Sequence, residues 1–219
     1  MDKLDKIIED AHQDFETRTK ARDQALKQAR LLTRYCANAI RAAHRDERDQ
    51  AQALLSEAAE LAASLLQNLQ DHPDIYYAGY TQDALKEFAE ASITYALINE
   101  EPLPSPGDLS LEHMTYLKGL AEAAGELRRK CLDILRHGHS QEAERLLSHM
   151  DDIYTALVTM DYPDAITGGL RRLTDIVRGV TERTRGDLTL SIRQERLEQH
   201  ILTLEKQFIE HNQNQEHIH

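Results

Sequence analysis

Apolar residues along the chain recur at three- and four-residue spacing almost throughout, the period of a helix buried on one face. Leu4, Ile7, Ile8, Ala11 and Phe15 follow this spacing, and Ala25, Leu26, Ala29, Leu32, Ala39 and Ile40 resume it. No glycine or proline falls between Lys3 and Arg45, so one long first helix is predicted there. The run from Arg45 to Asp49 predicts a turn. A second helix, about Glu47 to Leu69, places Ala53, Leu54, Ala58, Leu61, Leu65 and Leu66 on one face and ends before His72-Pro73. Tyr76, Tyr77 and Tyr80 lie in the link that follows, where packing is expected for them rather than base stacking. A third helix is predicted over about Thr81 to Asn99, then a loop through Glu101-Pro-Leu-Pro-Ser-Pro-Gly107. Ser110 is the expected N-cap of a fourth helix, about Leu111 to Arg136, closed by Gly138. Ser140 is the expected cap of a fifth, about Gln141 to Met160. After Asp161-Tyr-Pro163 a last helix is predicted from about Ile166 to Glu210, running through Gly168 and Gly169, with residues 211–219 a frayed polar tail. The expected architecture is all-α: one domain over residues 1–219, built as an antiparallel bundle of about six to seven helices.

Composition agrees. Val and Ile are too scattered for a sheet. No run of about eighteen apolar residues occurs, and the charged N-terminus MDKLDKIIED is not a signal peptide. Cys36 and Cys131 sit within helical patterns, where neither a disulfide framework nor a zinc site is expected, so a reducing cytoplasm is the expected setting.

The net charge of −12 argues against a nucleic-acid partner, but its distribution does not. Between Arg18 and Arg48 lie nine basic residues (Arg18, Lys20, Arg22, Lys27, Arg30, Arg34, Arg41, Arg45, Arg48) against Asp23, Asp46 and Glu47. Between Arg171 and Arg196 lie seven arginines against Asp175, Glu182, Asp187 and Glu195. These runs read either as solvated faces with local ion pairs or as basic helices facing a polyanion.

Candidate chemistry comes from carboxylates. Asp83, Glu87 and Glu90 share a face of the third helix, and Glu122 and Glu126 lie one turn apart on the fourth. Gly119, Ala121, Ala123, Ala124 and Gly125 surround the second pair, and such small residues allow a neighbouring helix to come close. Four converging carboxylates favour a hard divalent cation, Mg²⁺ or Mn²⁺. No histidine sits one turn from these glutamates, so the di-iron bundle pattern is missing. Phosphodiester hydrolysis is the chemistry such a centre suits.

Two stretches then resemble a known family. Leu85-Lys86-Glu87-Phe88-Ala89-Glu90-Ala91 is similar to the L-Q-E-Y-V-E-A helix of translin-associated factor X. Tyr116-Leu117-Lys118-Gly119-Leu120-Ala121-Glu122, continued through Gly125-Glu126-Leu127-Arg128, resembles that family's Y-L-x-G-x-x-D-x-x-G-E-L-x-R stretch. Arg22-Asp23 with Arg30, and Gly168 through Arg172 to Leu190-Ser191-Ile192-Arg193, look like its first and last helices. The resemblance to the translin superfamily implies a bundle of about seven helices and hollow octamers holding RNA or single-stranded DNA. For the factor X branch it also implies a Mg²⁺-dependent endoribonuclease. The short chain resembles a prokaryotic member that assembles alone. On this likeness the metal-binding and catalytic residues are Glu87, Glu90, Glu122 and Glu126, with Glu122 standing where the family has its catalytic aspartate. The basic helices are then expected to face the RNA, with Arg30, Arg34, Arg128 and Arg129 as phosphate contacts. Two alternatives stay open: a translin-type binding protein without catalysis, and an all-α nucleoside triphosphate pyrophosphatase, whose E-x-x-E/E-x-x-D pattern the four-residue spacing of Glu122 and Glu126 does not match.

Overall fold

The structure, a computed structural model, describes the backbone of residues 1–138 and 140–216 and the side chains of 1–138 and 141–209. It is all-α, with no strand among the described residues. In chain order the helices are α1 (Asp2–His44), α2 (Arg48–Asn68), α3 (Pro73–Tyr76), α4 (Gly79–Ile98), α5 (His113–Leu135), α6 (Ser140–Val158), α7 (Asp164–Thr167) and α8 (Leu170–Glu216). Six are long, and α3 and α7 are single turns. No helix among the described residues is long and apolar enough to cross a membrane.

Each long helix forms where periodicity predicts it. α1 runs unbroken because nothing in it interrupts the hydrogen-bond ladder; Asp2 and Asp5 begin it and Arg41 and His44 end it, the charge order that suits the helix dipole. The reversal into α2 places Asp46 at φ 60°, a left-handed turn that Asp tolerates. Pro73 opens α3 at a first-turn position, where its missing N–H costs nothing.

Two expected boundaries differ. Ser110 does not cap the fourth long helix: it sits at φ 55° in the preceding loop, and the helix starts at His113 after Glu112. The loop is held elsewhere, by Ser105 donating from N and Oγ to Asp108 and by Tyr116 Oη donating to the Pro104 carbonyl at 2.7 Å. The last helix does not run through Gly168 and Gly169. Both take positive φ, 47° and 89°, a conformation that glycine adopts without a Cβ clash, and the chain turns there between α7 and α8. α8 then continues to Glu216, past the expected end near Glu210. The expected cap at Ser140 and the rest of the expected tail, 217–219, lie outside the described side chains and residues.

The bundle centres on α4 and α5, which pack along each other. α1 lies against α4 with α2 outside it, and α6 and α8 flank α5 and touch each other. Leu85, Phe88, Ala89 and Ile93 of α4 and Leu120, Ala123, Ala124 and Leu127 of α5 are buried. Cys36 and Cys131 are fully buried and unbridged, as their helical setting predicts. Tyr76 and Tyr77 meet edge to face at 4.7 Å, and Tyr77 donates to Glu112 at 2.8 Å.

Candidate metal centre

The approach of α4 and α5 depends on Gly119. A Cβ there would lie 2.6 Å from Ala89 Cβ, 2.8 Å from the Lys86 carbonyl oxygen and 2.9 Å from the Glu90 nitrogen. α5 therefore rests on the backbone of α4 at the turn that carries Glu87 and Glu90. One turn further along α5, Glu122 meets them: Glu87, Glu90 and Glu122 each offer a carboxylate oxygen within 4.8 Å of the others. Gly125 plays a different part, since a Cβ there would meet nothing within 4 Å. It opens a cavity of about 480 Å³ lined by the three carboxylates on one wall and by Leu173, Ile176, Val177 and Val180 of α8 on the other.

The three glutamates differ in setting. Glu90 is 9% exposed. Burial, followed by the charges of Glu87, Glu122 and Glu126, pushes its carboxyl up to about 8 against the opposing pull of Lys86. Glu87 and Glu122 are partly exposed on the cavity side. Lys86 reaches across the cluster, with Nζ 2.5 Å from Glu122 Oε2 and 3.5 Å from Glu87 Oε1. Burial alone would lower this ammonium, but the hydrogen bond to Glu122 and the charges of Glu122, Glu87 and Glu90 outweigh it and raise it. Asp83, on the same stripe of α4, is exposed and stands apart from the trio.

Glu126 is turned toward α1. Its Oε2 accepts from His44 Nε2 at 2.5 Å, and that hydrogen bond, with the charges of His44 and Arg129, holds it below the ordinary carboxylate value despite burial. The His44 side chain is 4% exposed, and its Nδ1 has no partner among the described residues. α1 also backs the cluster through Cys36, whose thiol is pushed up by burial and then by the charges of Glu87 and Glu90.

The four expected phosphate contacts divide. Arg30 and Arg34 are exposed and carry no ion pair among the described residues. Arg129 is exposed, 3.8 Å from Glu126. Arg128 is engaged within the fold, 2.9 Å from Asp187 and donating to Thr184 Oγ1 at 3.0 Å, so it ties α5 to α8. Several other basic residues of the two runs also form ion pairs, among them Arg18 with Asp74, Arg48 with Glu101 and Arg185 with Asp151.

The donor set fits a small hard cation. One carboxylate oxygen of each of Glu87, Glu90 and Glu122 lies within 4.8 Å of the others, and a small divalent ion takes such oxygen ligands at about 2.1 Å. Lys86 and His44 escape a reading of the sequence. Lys86 looks like an ordinary surface lysine beside a glutamate, and His44 lies 82 positions from Glu126.

Fold and site together define an all-α bundle with a carboxylate centre on the wall of an inter-helix cavity. No family profile matches the chain. An uncharacterised protein of Methanocaldococcus jannaschii is 34% identical over 182 residues, covering 82% of this chain and 80% of that protein. Among solved structures, the complex of AfC3PO with duplex RNA superposes with a TM-score of 0.79 at 31% identity, over 84% of this chain and 95% of that one. AfC3PO alone gives 0.78 at 30%, over 84% and 96%. Apo-NeC3PO, at 20% identity and a TM-score of 0.78, shares the fold over 84% and 96%. The chain belongs to the translin superfamily, the family of these C3PO assemblies.

Proposed function

We propose that this protein is a metal-dependent endoribonuclease of the translin-associated factor X type, cleaving RNA as a closed cytoplasmic homo-octamer formed by a single 1–219 domain. The observation that carries the reading is the meeting of Glu87, Glu90 and Glu122 at the wall of one cavity. AfC3PO, a relative over most of the chain, binds duplex RNA, and this supports RNA as the substrate class.

Glu87, Glu90 and Glu122 hold Mg²⁺ or Mn²⁺ in this reading. The bound ion supplies Lewis acidity to the phosphate and a lowered pKa to water. Glu126, kept ionised by His44, orients the attacking water or serves as a further ligand. Glu90 would join the ligand set as its carboxylate; without an ion, burial and then the neighbouring carboxylates keep it protonated up to about 8. Arg129 beside Glu126 contacts the scissile phosphate, while Arg30 and Arg34 hold the strand further out. The α8 residues Leu173, Ile176, Val177 and Val180 keep the other wall apolar, which strengthens every charge interaction within.

The test incubates labelled duplex and single-stranded RNA with the protein, with and without Mg²⁺. Glu87→Ala and Glu122→Ala are expected to abolish cleavage and to leave assembly and RNA binding intact; full activity in either variant overturns the assignment. One observation favours a second reading, RNA or single-stranded DNA binding without catalysis: Lys86 already pairs with Glu122 and Glu87 from within the fold, offsetting one of their two charges. RNA binding with no metal-dependent cleavage supports that reading instead.

A further inference from the structure

The imidazole of His44 is engaged on one side only. Its side chain is 4% exposed, Nε2 is bonded to Glu126 Oε2, and Nδ1 has no partner among the described residues. An ionised carboxylate can only accept, so the shared proton sits on Nε2 and the neutral ring keeps a bare lone pair on Nδ1. A buried acceptor that meets neither a donor nor a cation is costly, so this nitrogen points to a ligand. The two ring nitrogens diverge, and Nδ1 is turned from Glu126. His44 also borders a second cavity, of about 530 Å³, which Glu126 does not line. It lies at the end of the bundle where α1 and α5 finish and α6 begins.

The charge of this cavity selects a cation. Asp46, Asp133 and Glu142 line it against one ammonium, Lys130. Lys130 is already committed, with Nζ 2.5 Å from Asp46 Oδ1 and 3.4 Å from the His44 carbonyl oxygen. Asp133 and Glu142 have only loose partners, Arg136 and Arg145, each at 3.9 Å. His137, the other imidazole of the lining, is exposed and has no side-chain partner among the described residues. It stands four positions after Asp133, so both project from the same side of the end of α5. Two imidazole nitrogens and two carboxylate oxygens are a four-ligand set for a borderline ion, Zn²⁺, rather than for Mg²⁺. The contact with Glu126 fits too, because a zinc-bound histidine commonly donates its other N–H to a carboxylate, which fixes the ring and raises its basicity. The ligand atoms are not gathered as they stand, since the three glutamates of the first centre are the group that converges within 4.8 Å among the described residues. The Asp133 and Glu142 side chains are 48% and 45% exposed and, with His137, have room to turn inward.

We propose that His44 Nδ1, Asp133, His137 and Glu142 form a second metal site, specific for Zn²⁺, at the end of the bundle. It shares one imidazole with the candidate metal centre, through Glu126, but does not rest on the nuclease reading.

Calorimetric titration of Zn²⁺ into the metal-free, full-length protein tests it, with no cleavage assay involved. The titration is run in the Glu122→Gln variant, which weakens the carboxylate centre and leaves the second site intact. One equivalent of Zn²⁺ is expected to bind, and adding His137→Ala or Asp133→Asn should each weaken it at least tenfold. Both residues lie on the surface or half exposed, so the melting temperature of the metal-free variants should stay where it was. Unchanged affinity in the His137→Ala variant overturns the proposal, because the ion is then held by other histidines of the surface. X-ray absorption at the zinc edge gives a second reading. Two imidazoles and two oxygen ligands are expected on the bound ion, and one imidazole after His137→Ala. A zinc spectrum with no imidazole, or with only one before that substitution, refutes the site, as does the absence of Zn²⁺ binding, which would leave water as the partner of His44 Nδ1. Loss of RNA cleavage alone moves none of these readings, so the two proposals fail separately.

Discussion

Lys86 Nζ lies 2.5 Å from Glu122 Oε2, so a lysine of α4 holds the carboxylate that α5 brings to the candidate metal centre. If the proposed ion binds there, it would compete with this ammonium for oxygens of Glu122 and Glu87. Lys86→Met is therefore expected to lower the melting temperature of the metal-free protein, because the carboxylates of Glu122 and Glu87 lose their internal cation. It should also tighten Mn²⁺ binding several-fold. Calorimetric titration of Mn²⁺ into both proteins checks this; unchanged or weaker binding in the variant means that Lys86 does not compete.

Glu90 sets a pH dependence with an unusual sign. In the native protein its carboxyl stays protonated up to about 8, against about 4.5 for an ordinary glutamate. Between these values the native state binds more protons than the unfolded chain, so the contribution of this group to stability falls as pH rises. The metal-free protein should lose on the order of a few kcal/mol from this group between about pH 4.5 and about pH 8. Glu90→Gln, which stays neutral, should flatten that slope. Urea unfolding of both proteins at pH 5, 6.5 and 8 measures it, and parallel slopes count against the assignment. Mn²⁺ affinity of the unsubstituted protein should rise over the same interval, because binding displaces the proton.

The two glycines flanking Glu122 should respond in opposite ways to alanine. At Gly119 the added Cβ meets backbone of α4 at 2.8 and 2.9 Å, which cannot yield as a flexible side chain can. Gly119→Ala should cost about 1–3 kcal/mol net of any helix-propensity gain and weaken Mn²⁺ binding by separating Glu122 from Glu87 and Glu90. At Gly125 nothing lies within 4 Å, so Gly125→Ala should gain up to about 1 kcal/mol. Thermal melting in the absence of metal distinguishes the pair, and equal shifts would show that the helix contact is not what Gly119 serves.

The arginines should separate by their ion pairs. Arg30→Ala with Arg34→Ala should weaken binding to duplex RNA and make the log–log salt dependence shallower by about 1 for each phosphate no longer neutralised. Arg128→Ala should lower the melting temperature and leave that slope unchanged, because its guanidinium serves Asp187 and Thr184. Filter binding between 50 and 300 mM salt resolves the two; a shallower slope for Arg128→Ala would place it on the RNA instead.

The sequence by itself determined the helices, because helix formation is read from neighbours three and four positions apart and from the Pro and Gly residues that interrupt them. It placed Glu87 and Glu90 on one face, set Glu122 among small residues, and carried the likeness to the translin superfamily in those same two stretches. It did not determine the break at Gly168-Gly169, since a glycine in a helical pattern is tolerated or left-handed according to what the rest of the chain requires. Tertiary structure also decided which carboxylates meet. Residues four apart are turned about 40° from each other around a helix axis, and once Gly119 seats α5 on α4 that offset directs Glu122 to Glu87 and Glu90 while Glu126 faces His44. Lys86 enters the centre and Arg128 is drawn away from solvent for the same reason. Periodicity fixes the face of a helix on which a side chain stands, but the faces that come together are set by close packing between segments far apart in the chain.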